Sequence, residues 1–216
     1  MTDEPAGPHQ DQPIVEAGTE LSTADATLIL VHGRGATARS ITQFGRQVHH
    51  EGVALLAPQA ANSEWYPNSF LAPIESNEPG RSSGLQAIDT AVTLAREEGI
   101  PSERIMLAGF SQGACLASEY LVTWPKRFGG LAGLSGGLLG ETVDTADYDG
   151  DLADTPVFLG CSDVDPHIPA DRVRETAAVF ESMDADVDMR LYDGMAHTIN
   201  QEEMRFVSDL VAGLVD

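Results

Sequence analysis

Basic residues are scarce in this chain, and their scarcity limits the partners that it can bind. Twelve lysines and arginines stand against 34 aspartates and glutamates, the formal net charge is −22, and Lys126 is the only lysine. Nucleic acids and anionic membrane surfaces are both bound largely through lysine and arginine. We therefore expect neither a nucleic acid nor a membrane as a partner.

Long apolar runs and a secretory leader are also missing. No apolar run approaches the length that a membrane-spanning helix needs. The acidic start, residues 1–5, has neither the basic region nor the apolar region of a signal peptide. These absences lead us to expect a cytoplasmic protein.

Cysteine is nearly absent, which excludes a disulfide framework. The two cysteines, Cys115 and Cys161, show no metal-ligand spacing, and each lies in an apolar segment. We expect both to be buried free thiols. The sequence predicts no metal site and no cofactor.

The acidic residues are spread along the chain rather than gathered in one tail. An acidic coat of this kind suits a cytoplasm of very high salt, where screening removes the self-repulsion of the charges. The composition resembles that of halophilic archaeal proteins, and an acidic surface for a cationic partner is the alternative. We expect low salt to unfold the protein.

Strands and helices alternate along most of the chain. Residues 1–12 are polar and rich in proline, glycine and acids, and they predict a mobile tail. From residue 13 to residue 216, short apolar runs alternate with helical periodicity, and no linker or repeat divides the chain. This order predicts one α/β domain, in which helices cover both faces of a mostly parallel, twisted sheet. Functional residues should then gather at the carboxyl ends of the strands.

The sequence Gly109-Phe110-Ser111-Gln112-Gly113 lies between a predicted strand and a predicted helix. A Gly-x-Ser-x-Gly motif in that context is typical of a nucleophile elbow, where a sharp turn exposes the serine. The glycines two residues before and after the serine allow the strained turn. A glycine-rich turn with an idle serine is the alternative. We interpret Ser111 as the nucleophile.

A serine needs a base to remove its proton, and the base needs an acid to orient it. His197 follows the last predicted strand, the position of the histidine in hydrolases whose triad runs serine, acid, histidine. Two aspartates in one strand-end loop, Asp163 and Asp165, can supply the acid. Spacing does not separate them, although Pro166 stiffens the loop at Asp165 and favours it.

An oxyanion hole needs two backbone N–H groups close to the nucleophile. The amide of Gln112, directly after Ser111, supplies one, and the glycine-flanked Arg34 is the natural source of the second. His32, just before this loop, is then expected to brace it. The glycine pair around Arg34 also resembles a phosphate-binding loop, but the longer dinucleotide pattern is absent.

Together these motifs resemble the serine carboxylesterase/phospholipase branch of the α/β-hydrolases, the group that includes acyl-protein thioesterases. The resemblance runs from about residue 27 to the C-terminus and rests on four motifs in order: His32-Gly33-Arg34-Gly35, Gly109-Phe110-Ser111-Gln112-Gly113, Asp163-Val164-Asp165-Pro166-His167-Ile168-Pro169 and Gly194-Met195-Ala196-His197. It implies an α/β-hydrolase fold and assigns the acid to Asp165 and the oxyanion donors to Arg34 and Gln112. Cys161-Ser162 stands where thioesterases usually have His-Gly, which argues against a protein-thioesterase role.

The sequence thus predicts a serine hydrolase that cleaves small carboxylic esters, thioesters or lysophospholipids through an acyl-enzyme. Trp65 and Tyr66, in a long loop, are expected to line the acyl pocket; the alternative is that they are core or surface aromatics. No separate cap domain is visible, and the oligomeric state stays open, a homodimer included. The rival interpretation is a catalytically silent hydrolase fold that serves as a small-molecule binding or receptor module.

Overall fold

A seven-stranded sheet forms the centre of the computed structural model, which describes residues 7–216. The strands lie in the order β1-β3-β2-β4-β5-β6-β7, and all neighbours are parallel except β1, which pairs antiparallel with β3. Their bounds are β1 Ile14–Gly18, β2 Ala26–Val31, β3 Val53–Pro58, β4 Ile105–Phe110, β5 Gly130–Leu134, β6 Pro156–Ser162 and β7 Asp186–Tyr192.

Five α-helices cover the two faces of this sheet: α1 Ala38–Gln47, α2 Gly80–Glu97, α3 Gln112–Thr123, α4 Ala170–Ser182 and α5 Gln201–Ala212. Side chains of a strand alternate between faces, so the sheet separates two cores. On β2, Leu28 and Leu30 pack in the core beneath α1 and α5, whereas Ile29 and Val31 pack in the core beneath α2, α3 and α4. The predicted α/β-hydrolase architecture is therefore confirmed.

Two differences from the predicted elements lie at helix starts. The pattern predicts one helix from residue 84, but α2 begins at Gly80; it predicts another from residue 114, but α3 begins at Gln112. Glycines and serines at these starts hide the apolar periodicity that marks a helix. Among residues 7–216, no insertion forms a separate cap, and no helix combines the length and apolar composition that crossing a membrane requires.

The prediction of a mobile tail over residues 1–12 is wrong for its described part. Residues 1–6 lie outside the described residues, whereas the N-terminal segment, residues 7–12, packs against the domain. His9 is only 3% exposed, and its backbone N–H donates to the Ser83 hydroxyl of α2 at 2.9 Å. The composition of residues 1–12 predicts a tail because it gives no sign of their contacts: the residues that bind His9 and Gln10 lie far away in the sequence.

Candidate active site

Ser111 occupies a sharp turn between β4, a central strand, and α3. Its backbone has φ 55° and ψ −121°, in a region that non-glycine residues rarely adopt. The turn brings backbone so close that a β-carbon on Gly109 would overlap the carbonyl of Gly113, and one on Gly113 would overlap the carbonyl of Val31. Both positions therefore require glycine, and the hydroxyl of Ser111 is presented at the carboxyl edge of the sheet.

His197 and Asp165 meet Ser111 at this edge, although each follows a different strand. The Ser111 hydroxyl lies 3.0 Å from Nε2 of His197, and Nδ1 of His197 lies 2.7 Å from Oδ2 of Asp165. A carboxylate only accepts, so Nδ1 carries the proton and Nε2 is left to accept from the serine. The structure brings together the three residues that the sequence suggested as nucleophile, base and acid.

Asp165 is held by more than the histidine. Its Oδ1 accepts from the amides of His167 and Ile168 at 2.8 and 3.0 Å, and its side chain is fully buried. Burial acts to raise the pKa of Asp165, but the hydrogen bonds from His197 and from the two amides outweigh it, so the pKa lies below its usual value. The carboxyl group therefore stays ionised beside His197.

Asp163 lies in the same loop as Asp165 but makes a different contact. Its Oδ1 accepts from the amide of Gly194 at 2.9 Å, which ties the end of β6 to the loop that carries His197. Between the two aspartates that spacing left open, the structure puts only Asp165 within hydrogen-bond distance of the imidazole.

Arg34 and Gln112, the two predicted oxyanion donors, both lie beside Ser111. Gln112 is the first residue of α3, so its N–H has no acceptor inside the helix and points to the helix N-terminus. Arg34 lies in the loop after β2, which approaches the nucleophile so closely that a β-carbon on Gly33 would be 3.4 Å from Cβ of Ser111. The amide of Gly35 is already used, since it donates to the carbonyl of Ser63 at 2.7 Å.

The side chains of Arg34 and Gln112 shape a second part of the site, the β3–α2 loop (residues 59–79). Gln112 accepts from the amide of Trp65 at 2.9 Å and donates to the carbonyl of Tyr66 at 2.8 Å. Arg34 donates to the same carbonyl at 2.8 Å and pairs with Glu64. The two residues predicted as backbone oxyanion donors thus also fix this loop beside Ser111.

A cavity of about 530 Å³ opens beside Ser111 and His197. Tyr66 and Phe70 of the β3–α2 loop line it together with Ile168, and Asn68, Ser69 and His167 add polar groups. A concave site of this volume with a few polar groups is typical of small-molecule binding.

The sequence profile of the phospholipase/carboxylesterase family matches residues 11–214. The chain belongs to this family. A phospholipase/carboxylesterase structure from Dyadobacter fermentans is 36% identical, with a TM-score of 0.89 over 96% of this chain and 100% of that one. Acyl-protein thioesterase 1 of Saccharomyces cerevisiae is 25% identical over 222 residues, 91% of this chain and 96% of its own. Acyl-protein thioesterase 1 of Kluyveromyces lactis is 38% identical over 130 residues, 58% of this chain and 57% of its own.

Membership of the phospholipase/carboxylesterase family confirms two predictions, the α/β-hydrolase class and an enzyme that hydrolyses carboxylic esters. One site prediction needs correction in this light. Tyr66 lines the cavity, but Trp65 does not: it is fully buried, and its indole N–H donates to the carbonyl of His32 at 2.8 Å. An aromatic residue in a long loop can point to either side, and in this family member the larger ring points into the core.

Of the remaining histidines, His32 braces its loop as expected, since Nδ1 lies 2.9 Å from the carbonyl of Gly33 and Nε2 accepts from the amide of Ala60 at 3.1 Å. Burial lowers the pKa of His32, which keeps it neutral. His49 and His50 bond to the Val53 carbonyl and the Ser208 hydroxyl, away from the nucleophile.

Sequence reasoning missed several residues that line the cavity of this hydrolase. Cys115 lies one helical turn after Ser111, and this spacing alone could have placed it on the same side of α3. His167 lies two residues after Asp165, and its ring is 5.0 Å from that of His197. Phe70 gave no comparable signal because it lies within a loop without periodicity.

Proposed function

We propose that this family member hydrolyses its esters through Ser111 as nucleophile, His197 as base and Asp165 as the acid that orients the base. The observation that carries the proposal is the continuous chain from hydroxyl to imidazole to carboxylate, with distances of 3.0 and 2.7 Å. Each link lies within hydrogen-bond reach, as the proton transfers require.

The reaction proceeds in two halves. Nε2 of His197 takes the proton of Ser111 as the hydroxyl oxygen attacks the acyl carbonyl, and the imidazolium is stabilised by Asp165. The amides of Gln112 and Arg34 donate to the oxyanion of the tetrahedral intermediate. His197 then gives its proton to the leaving alcohol or thiol, and water attacks the acyl-enzyme by the same route in reverse. No cofactor takes part.

The cavity supports a small ester as substrate. A volume of about 530 Å³ accommodates one small molecule, and Tyr66, Phe70 and Ile168 offer apolar contacts to a short acyl chain. The thioesterase name of the yeast relatives favours thioesters as a second class. Cys161 and Ser162, where thioesterases usually have His-Gly, make oxygen esters of short acids the first choice.

The experiment is a substrate panel in molar KCl: p-nitrophenyl acetate, butyrate and octanoate, an acyl-thiol followed by thiol release, and a lysophospholipid. We expect turnover that is highest with acetate or butyrate and lost in Ser111→Ala. A fluorophosphonate probe should label the wild type and spare that variant. A folded protein that neither turns over nor takes the probe would favour the binding-module alternative.

We also propose a cytoplasm of high salt as the setting of this enzyme. The excess of 34 acidic over 12 basic residues supports it, because ions screen the self-repulsion that such a charge creates. The same charge supports the absence of nucleic-acid and membrane partners. Gel filtration in molar KCl tests whether the protein is a monomer or a homodimer.

A further inference from the structure

His9 makes two well-defined hydrogen bonds although it precedes the first strand. Its Nδ1 lies 3.0 Å from the amide of Ala61, and its Nε2 lies 2.9 Å from the carbonyl of Trp65. An amide only donates and a carbonyl only accepts, so Nδ1 is the acceptor and Nε2 carries the proton. Burial lowers the pKa of His9, which favours this neutral form.

Two imidazoles enclose the base of the β3–α2 loop in this way. His32 accepts from the amide of Ala60, and His9 accepts from the next amide, that of Ala61. The ring of His32 lies 5.0 Å from the ring of Trp65, and the ring of His9 lies 5.2 Å from it. The N-terminal segment is itself anchored to α2, since Gln10 donates to the carbonyl of Ser83 at 3.0 Å.

This arrangement connects His9 to the active site through one residue. His9 holds the carbonyl of Trp65, and the Gln112 side chain holds its amide. The next residue, Tyr66, lines the cavity, and its carbonyl is held by Gln112 and Arg34. Without His9, the Trp65 carbonyl loses its donor, and only the two flanking peptides stay held, by Gln112 and Arg34.

We infer that His9 is a positioning residue, which makes the N-terminal segment a support for the acyl-binding wall of the cavity. This inference rests on the proposed function, because it assigns to Tyr66 a contact with the acyl group. His9 touches no reacting atom. Its loss should therefore weaken binding of the ester more than it slows the chemical step.

The test compares His9→Ala, His9→Gln and the control His49→Ala, which removes another imidazole bonded to a backbone carbonyl, that of Val53. With p-nitrophenyl butyrate, we expect His9→Ala to raise KM about tenfold, the size of effect that one or two lost hydrogen bonds give. The kcat should stay within about threefold, since the triad is intact. His9→Gln should restore part of the KM, because its amide can still donate to the Trp65 carbonyl, and the control should keep the wild-type KM.

A second readout does not depend on activity. In a Trp124→Phe background, Trp65 is the only tryptophan of the chain, and acrylamide quenching reports its burial. We expect a shielded Trp65 with His9 or Gln at position 9 and an accessible one in His9→Ala. If the wild type hydrolyses no ester, the proposed function fails, and quenching still reports whether His9 holds the loop.

Two results would overturn the inference. One is a His9→Ala protein with the KM of the wild type, whether or not less of it folds, because a purely structural role lowers only the amount of active enzyme. The other is a Trp65 that stays shielded from acrylamide in His9→Ala, because the loop then keeps its place without the His9 imidazole. If His9→Ala does not fold, an unaltered KM in His9→Asn, which cannot reach the Trp65 carbonyl as glutamine does, decides against the inference.

Discussion

Replacing Asp165 by asparagine should disable the proposed base without disturbing the fold. The amide oxygen can still accept from the amides of His167 and Ile168, as Oδ1 does at 2.8 and 3.0 Å. The NH₂ group then faces Nδ1 of His197, where the wild type has Oδ2 at 2.7 Å. Two donors cannot face each other, so the imidazole must move its proton to Nε2.

The size of the expected loss of kcat follows from this tautomer. Nε2 with a proton cannot accept from the Ser111 hydroxyl, 3.0 Å away, and the serine loses its base. An asparagine that forces the wrong tautomer lowers kcat on the order of 10⁴-fold in a serine protease triad, equivalent to about 5.4 kcal/mol of activation free energy. KM should change little, because Asp165 does not line the cavity.

The assay is steady-state hydrolysis of p-nitrophenyl butyrate in molar KCl, with Asp163→Asn as the matched control. Asp163 accepts from the Gly194 amide at 2.9 Å, and asparagine keeps that bond, so its kcat should stay within about threefold of the wild type. Equal unfolding midpoints would exclude a folding defect. Two results would refute the assignment of the acid. One is a larger loss of kcat in Asp163→Asn than in Asp165→Asn, and the other is nearly full activity in Asp165→Asn.

Three further predictions concern stability and the elbow. Burial raises the pKa of Glu203 to about 7, so its contribution to stability is lost as the pH rises from about 4.5 through 7. Glu203→Gln should thus raise the unfolding free energy at pH 8 by up to about 3 kcal/mol and much less at pH 5, as denaturant titrations at the two pH values would show. Gly113→Ala should lower the free energy of unfolding by about 2 kcal/mol or more and abolish activity, because the methyl group would overlap the Val31 carbonyl. A Gly113→Ala variant that stays active and stable would contradict the elbow geometry. The melting temperature should rise from dilute buffer to molar KCl, and a flat response in a thermal scan would remove the halophilic hypothesis.

Local motifs made the elbow and the strand ends predictable from sequence. The apolar run before Ser111 and the glycines around it are a local signal for a strand, a turn and a helix. His197 followed from chain order, because the carboxyl ends of parallel strands meet at one edge. Asp165 and Asp163 lie in the same strand-end loop, so their spacing did not separate them; Pro166 and the family resemblance favoured Asp165, and the course of the loop brings Asp165 to the imidazole.

Long-range contacts account for what the sequence did not predict. His9 reaches the Trp65 carbonyl 56 positions away and Ser83 74 positions away, and no local pattern marks such partners. Trp65 turns inward because His32 offers its indole an acceptor, which the loop composition does not reveal. Both errors have one origin: loops and termini were judged by composition, whereas their burial depends on which distant polar groups they meet.

The most direct test of the proposed mechanism is to trap the acyl-enzyme. Wild-type protein mixed with excess p-nitrophenyl butyrate is quenched in acid within milliseconds, digested and examined by mass spectrometry. We predict a butyryl group on the peptide that contains Ser111 and an unmodified peptide in Ser111→Ala. Hydrolysis without any acyl adduct, or an adduct on another residue with the Ser111→Ala variant fully active, would contradict the mechanism.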